Sequence, residues 1–307
     1  MPEAIMNRNN IKIWLQATRP FSFTASITPV LIGAAWASLY SGEVAWVLLP
    51  VFLLCSLLIH AATNLISDYE DFKRGVDQNY TYGSSGVLVA DLMTPEKVKK
   101  GAYVLFAVAF LLGLLIVFVR GWPILILGSI GIAAGYFYTV SPVGYKYKAL
   151  GDVCVFLFMG VLLVVGAYLA LTGQVNLNIV LISIPISLLV TAILHANNVR
   201  DIQHDREAGV QTLAGKMGHQ RAQTQYAFLV LGAYVMTMIL VVLRIVSPWS
   251  LLVFITLPLA VKNITKMRAS EANDPQSLAT LDVDTAKLHL AFGVIYVVSF
   301  LIAGAIG

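Results

Sequence analysis

The chain has 307 residues, of which 58% are hydrophobic and only 12% charged, and its mean hydropathy is +0.80. A soluble domain carries about a quarter charged residues, so this composition excludes one and makes lipid the natural solvent. The net charge of +4 and pI near 9.0 do not indicate nucleic acid as a partner, because the basic residues are scattered through short loops without an aromatic binding platform.

The opening segment, MPEAIMNRNNIKIWLQATRP, has no apolar core and no small-residue cleavage site, so it is expected to stay attached. From Phe21 onward, apolar runs recur at about the 20 residues needed to cross a hydrocarbon core. Nine spans are expected, over 21–40, 44–66, 98–119, 122–140, 150–171, 177–198, 223–243, 248–266 and 285–305. The fold class is therefore all-α integral membrane, and 1–307 reads as a single polytopic domain. Cys55 and Cys154 lie within or at the edge of apolar runs, where a free thiol acts as a small hydrophobe rather than a ligand or nucleophile. Loops after odd-numbered spans are short, and 18 of the 20 Lys and Arg residues fall on the N-terminal side, leaving only Arg120 and Arg244 opposite. That asymmetry places the N-terminus and the larger loops in the cytoplasm and the protein in the cytoplasmic or inner membrane. Of the 16 acidic residues Glu43 alone lies on the other face, and acids contribute little to topology, so their clustering points to chemistry.

The second span ends in NLISDYEDFKRGVD and the sixth in NNVRDIQHDREAG. Each is an Asn followed four residues later by Asp. Asn64, Asp68 and Asp71 fall at i, i+4 and i+7, and Asn197, Asp201 and Asp205 at i, i+4 and i+8, so each set is expected to line one helical stripe. His60-Ala61 and His195-Ala196 precede the motifs, which reads as a weak internal duplication building one shared site. The histidines themselves are expected to be hydrogen-bonded packing residues.

Two opposed carboxylate clusters repel one another at reduced dielectric unless a cation sits between them. Hard oxygen ligands suit Mg2+, which binds through a few carboxylates together with substrate phosphate. Zinc is disfavoured by the absence of soft ligands. Lys73, Arg74, Arg200, Arg206 and Lys216 stand among the acids and complement diphosphate oxygens. Metal and cations together would stabilise diphosphate as a leaving group, with an allylic carbocation as the product of that step. One acidic pair at such spacing is usually a solvated loop, but two copies with the same preceding Asn on one membrane face reverse that expectation. A transporter would carry its charges near the bilayer midplane rather than at one rim, and a scaffold subunit would not need the duplicated pattern.

With these residues on view, the chain resembles the UbiA superfamily of intramembrane aromatic prenyltransferases. The resemblance covers almost the whole chain, through WLQATRPFSFTASITPVLIGAAWA, the two motifs, LMTPEKVKKG and GYFYTVSPVGYKYKALGD. It implies nine transmembrane helices around a central cavity, with a cytoplasmic cap from the loops after helices 2 and 6. It implies transfer of a prenyl chain from a polyprenyl diphosphate to an aromatic acceptor, within membrane lipid. By position, Asn64, Asp68, Asp71, Asp77, Asn197, Asp201 and Asp205 would hold Mg2+, with Asp68, Asp71, Asp201 and Asp205 as the catalytic carboxylates. Asn64, Asn197, Lys73, Arg200 and Lys216 would contact the diphosphate, and Arg19 would support the polar end of the pocket. Within the family the motifs are most similar to the members that prenylate 1,4-dihydroxy-2-naphthoate in menaquinone biosynthesis, where the acceptor also loses CO2. Other members act on 4-hydroxybenzoate or homogentisate. The chain departs from the usual pattern at Ser67, where many members have Asn, at Ser84-Ser85-Gly86, where many have Arg, and at Gln211, where many have a basic residue. Tyr136, Phe137, Tyr138 and Phe156 are candidates to shelter the carbocation.

Overall fold

Helix α1 (Pro2–Thr18) stops where Arg19 adopts a left-handed backbone (φ 53°). Pro20 follows, and a residue before proline is pushed out of the right-handed helical region. A short 3-10 turn (Pro20–Phe23) then opens α2 (Thr24–Ala37), followed by α3 (Leu48–Lys73). Helix α4 (Pro95–Arg120) begins with Thr94 accepting the Lys97 N–H and proline at the first helical position, a start that satisfies one otherwise orphaned donor. Then come α5 (Trp122–Tyr136), and α6 (Gly151–Val155) running through a π-helical stretch (Phe156–Val161) into α7 (Leu162–Thr172). Asn176 caps α8 (Leu177–Arg200) through the Ile179 N–H. Two short helices, α9 (Ile202–Glu207) and α10 (Leu213–Met217), lead to α11 (His219–Val242). A 3-10 stretch (Pro248–Thr256) continues into α12 (Leu257–Ala269), and α13 (Leu281–Ile306) ends the fold. This computed structural model describes residues 2–40, 42–78 and 82–306.

Eight helical segments are long and apolar enough to cross a membrane: Pro20–Ala37, Leu48–Lys73, Pro95–Arg120, Gly151–Thr172, Leu177–Arg200, His219–Val242, Pro248–Ala269 and Pro275–Ile306. The expected span 122–140 falls instead on α5, whose 15 residues end at Tyr136. At 1.5 Å per residue that is about 22 Å, short of a hydrocarbon core of about 30 Å. The outward faces are apolar: Phe118 is 92% exposed and Val242 75%. Surfaces of that kind are stable only against lipid, so the protein is all-α and integral to a membrane.

The interior is divided. A large apolar core joins α2, α7, α8, α11 and α13 around Tyr226, Phe292, Tyr296 and Phe300. A smaller one joins α1, the motif-bearing end of α3, and α4 around Leu65, Ile66, Val98, Ala102 and Phe106. The two acidic motifs therefore belong to separately packed halves. Gly160, in the π stretch, lets α8 approach closely, since a Cβ there would lie 2.6 Å from the Ser187 Cα. Gly160→Ala is expected to cost about 1–3 kcal/mol through forced backbone movement, read as a lower melting temperature in detergent. Gly128→Ala, whose Cβ meets nothing within 4 Å, should not lower it.

Candidate active site

A cavity of about 350 Å³ lies between the halves. One wall is apolar, with Phe52, Phe110, Leu114, Leu125, Phe158 and Leu162. The other end is polar, with Arg19, Asn64, Asp77, Lys146, Asn197, Asp201, Asp205 and Asp282.

Helix α3 runs seven residues past the expected end of the second span at 66, so Asn64, Asp68 and Asp71 share one helix. Asp68 is 2% exposed; it pairs with Arg19 and accepts the Ser85 hydroxyl and, at 3.2 Å, the Ser85 N–H. Asp71 is equally buried and accepts from Ser67 Oγ (3.1 Å), Tyr147 OH (2.7 Å) and Lys146 Nζ (2.6 Å). Neither carboxylate lines the cavity; their basic partners Arg19 and Lys146 do. Two of the departures from the family pattern thus have local consequences, since Ser67 and Ser85 are hydrogen-bond donors to these carboxylates. The left-handed Arg19 costs about 1–3 kcal/mol of backbone strain, offset by its ion pair. The Asn64 amide donates to Thr18 O (2.9 Å) and Ser22 Oγ (3.3 Å). The chain reverses at Gly75 (φ 72°) and brings Asp77 to the cavity, where burial and the Asp71 charge push its carboxyl up to about 6. Lys73 is exposed and does not line the cavity. Arg74 is also exposed, bonded to Ser141 (2.9 Å) and stacked 4.4 Å from the Tyr147 ring centroid.

The second motif corrects the expectation of a single continuous stripe. Asn197 lies on α8 and Asp205 on α9, and the helix breaks for one residue at Asp201 (φ −97°, ψ 10°). The break falls where the neighbouring Arg200 folds back onto Asp201 in a two-pronged pair at 2.8 and 2.7 Å. Arg200 is buried and faces Asp201 and Asp282 rather than the cavity. Asp205 makes no side-chain hydrogen bond among the described residues, and burial pushes it up to about 7. Among the described residues, Asn197 Oδ1 is buried without a hydrogen-bond partner. His204 Nε2 lies 2.6 Å from Val76 O and ties this motif to the first. Lys216 and Arg206 are exposed, and neither lines the cavity.

Both histidines are hydrogen-bonded, as expected, but His60 also lines the cavity. His60 meets Ser22 and Ser26 (3.2 and 2.8 Å), and His195 meets Asp152 (2.5 Å) and Ala222 O (3.0 Å). Their settings differ, as do their offsets: His60 precedes Asn64 by four residues and His195 precedes Asn197 by two. Of the four aromatic candidates only Tyr138 lines the cavity. Tyr136 is turned toward Tyr103 and Phe106 instead, and Phe137 packs on Tyr136, so neither reaches it. Phe156 is not among the lining residues either, whereas Tyr145 and Phe158 are.

Sequence reasoning missed Lys146, Tyr147, Ser85 and Asp282. Lys146 and Tyr147 stand in a Tyr/Lys-rich turn whose composition draws attention, but spacing does not tell which way a loop side chain points.

The donor set fits a hard divalent cation. All candidates are carboxylate or amide oxygens, and the orphaned Asn197 Oδ1 is an acceptor lacking a donor. Among the described residues no three His, Cys or carboxylate side chains converge on one point. Arg19, Lys146 and Arg200 each hold a motif carboxylate in this arrangement.

Residues 26–291 match the UbiA prenyltransferase family. The chain belongs to that family. It is accordingly a prenyltransferase, and the curated UbiA relatives it matches are similar over nearly its full length. The 1,4-dihydroxy-2-naphthoate octaprenyltransferase of Bacillus subtilis (strain 168) is 35% identical over 291 residues, covering 95% of this chain and 92% of that one. UbiA prenyltransferase domain-containing protein 1 of Homo sapiens is 31% identical, covering 97% and 86%. The UbiA homolog from Archaeoglobus fulgidus bound to DMAPP and Mg2+ superposes with a TM-score of 0.64 at 17% identity, covering 92% and 98%. The apo UbiA homolog from Aeropyrum pernix K1 superposes with a TM-score of 0.67 at 14% identity, covering 92% and 97%. Both solved structures share the UbiA fold with this chain.

Proposed function

We propose that this UbiA-family protein is a Mg2+-dependent enzyme that transfers a polyprenyl group from an allylic diphosphate to an aromatic acceptor, 1,4-dihydroxy-2-naphthoate. The observation that carries the reading is the meeting of two Asn/Asp motifs, interleaved with basic side chains, at the polar end of an apolar cavity. The acceptor rests on the identity with the Bacillus subtilis enzyme, and the metal on the donor set and the Mg2+ of the Archaeoglobus fulgidus homolog.

Asn64, Asp68, Asp71, Asp77, Asn197, Asp201 and Asp205 would hold Mg2+. Bound there, the ion supplies positive charge that polarises the diphosphate oxygens. Arg19 and Lys146, which line the cavity, would turn N–H groups from their carboxylates to those oxygens. The bond between the allylic carbon and the diphosphate oxygen breaks, and the electron pair leaves with diphosphate. Tyr138, Tyr145 and Phe158 shelter the positive carbon and keep water from it. The ring carbon bearing the carboxylate bonds to the prenyl carbon, and CO2 departs from it. The isoprenoid chain occupies the apolar wall. Lys73 and Lys216 stand outside the cavity in this arrangement and would reach the diphosphate only by moving.

In the membrane, α5 together with the apolar turn that follows it to 140 serves as a ninth crossing, 1–307 forms one polytopic domain, and the N-terminus and motifs face the cytoplasm of a cell membrane. The segments after α3 and α8 cap the polar end.

The test is transfer from a radiolabelled polyprenyl diphosphate by the purified protein, offered dihydroxynaphthoate and 4-hydroxybenzoate in parallel. A lipophilic product from the naphthoate alone is expected. Product from 4-hydroxybenzoate alone would move the acceptor, and product from neither would overturn the reading.

A further inference from the structure

Asp282 is the second residue of α13 and reaches the polar end of the cavity from a helix that carries neither motif. Both of its carboxylate oxygens are engaged. Oδ1 accepts the Val283 N–H at 2.8 Å, and Oδ2 lies 3.3 Å from Arg200 Nη1. The first turn of a helix is also where the backbone dipole favours negative charge. Asp282 is thus fixed in place by its own helix.

Arg200 presents its other edge to Asp201, and its side chain is only 1% exposed, 5.2 Å from the Tyr82 ring centroid. One buried cation therefore serves two carboxylates that are not equivalent. Asp282 is tied to its own backbone, whereas among the described residues the only side-chain hydrogen-bond partner of Asp201 is Arg200. If Asp201 turned toward a metal with no second anion present, it would leave a buried guanidinium without a counter-ion, which is strongly unfavourable.

We propose that Asp282 is a positioning residue, the standing counter-ion of Arg200 that frees Asp201 to turn to the metal. This inference rests on the function proposed above. It goes beyond the two motifs, because Asp282 lies outside both and acts only through Arg200.

The experiment is a double-mutant cycle on the full-length protein in detergent. Mn2+ binding is read by electron paramagnetic resonance in the presence of a non-hydrolysable prenyl thiodiphosphate. Asp282→Asn should weaken Mn2+ binding about tenfold, the size of one charge-assisted contact, and should raise KM for the diphosphate substrate far more than it lowers kcat. Asp282→Glu should restore most of the affinity. In an Arg200→Gln background Asp282→Asn should add less than about twofold, because its effect runs through Arg200. An equal loss in both backgrounds would overturn the proposal, as would unchanged Mn2+ affinity in the single variant. Asp282→Thr, which keeps an acceptor for the Val283 N–H, takes the place of Asp282→Asn in the cycle if the latter does not fold. Failure of the unsubstituted protein to bind Mn2+ with the thiodiphosphate would overturn the functional reading and this inference with it, a result distinct from any difference between variants.

Discussion

Asp201→Ala should lower prenyl transfer by about 10²–10³-fold, the loss typical of removing one electrostatic stabiliser from an active site, and should leave the fold nearly intact. Asp68→Ala should lose as much activity and fold poorly as well. The two differ in what each leaves behind. Without Asp201, Arg200 keeps Asp282 at 3.3 Å as its counter-ion. Without Asp68, its half-buried partner Arg19 keeps a strained left-handed backbone with no ion pair to offset it, and Ser85 loses its acceptor. Breaking one side of a fully buried pair costs about 3–5 kcal/mol, and a smaller loss is expected here because Arg19 is partly open to the cavity. Transfer rates alongside melting temperatures in detergent separate the outcomes. Equal stability in the two variants would contradict the assignment of Arg19 to Asp68, and full activity in either would remove that carboxylate from the site.

The second large effect is on pH dependence. Asp77 and Asp205 are raised from an ordinary 3.8 to about 6 and about 7, chiefly because burial penalises the charged form. In the metal-free protein the folded state therefore holds protons that the unfolded chain releases. The stability these protons contribute is complete below pH 3.8 and is lost as pH rises through 6 and 7. The metal-free protein should accordingly melt at a lower temperature at pH 8 than at pH 5.5. Mg2+ binding runs the other way, since it needs both carboxylates ionised. Its apparent affinity should rise by up to about tenfold per pH unit for each proton displaced, flattening above pH 7. Asp205→Asn should remove the upper part of both trends. A metal-free melting temperature that rises from pH 5.5 to pH 8 would contradict the burial of these two groups.

Much of this was legible from residue order. Apolar run length marked the membrane segments, and the paired Asn/Asp spacing marked the two motifs, from which Asn64, Asp77, Asn197, Asp201 and Asp205 line the cavity while Asp68 and Asp71 do not. Both signals are local, fixed by helical geometry and the thickness of a bilayer. Span 122–140 was less legible, because hydropathy continues past Tyr136 while the helix turns at Phe137. The break at Asp201 was hidden for a related reason: Arg200 is shared between its own neighbour and Asp282, 82 residues away, and spacing encodes no such contact. Lys146 is the clearest omission. It bonds to Asp71 across 75 residues, and nothing in a loop's composition encodes such a contact. Lys73 shows the converse, since it stands beside the first motif in sequence yet points away from the cavity at the end of α3.

The most direct test of the central claim is diphosphate release from a labelled allylic polyprenyl diphosphate by the purified protein with dihydroxynaphthoate, in Mg2+ and again in EDTA. The account predicts release matched by prenylated product in Mg2+, and loss of both in EDTA with recovery when Mg2+ is restored. Release and transfer that continue undiminished in EDTA would contradict it.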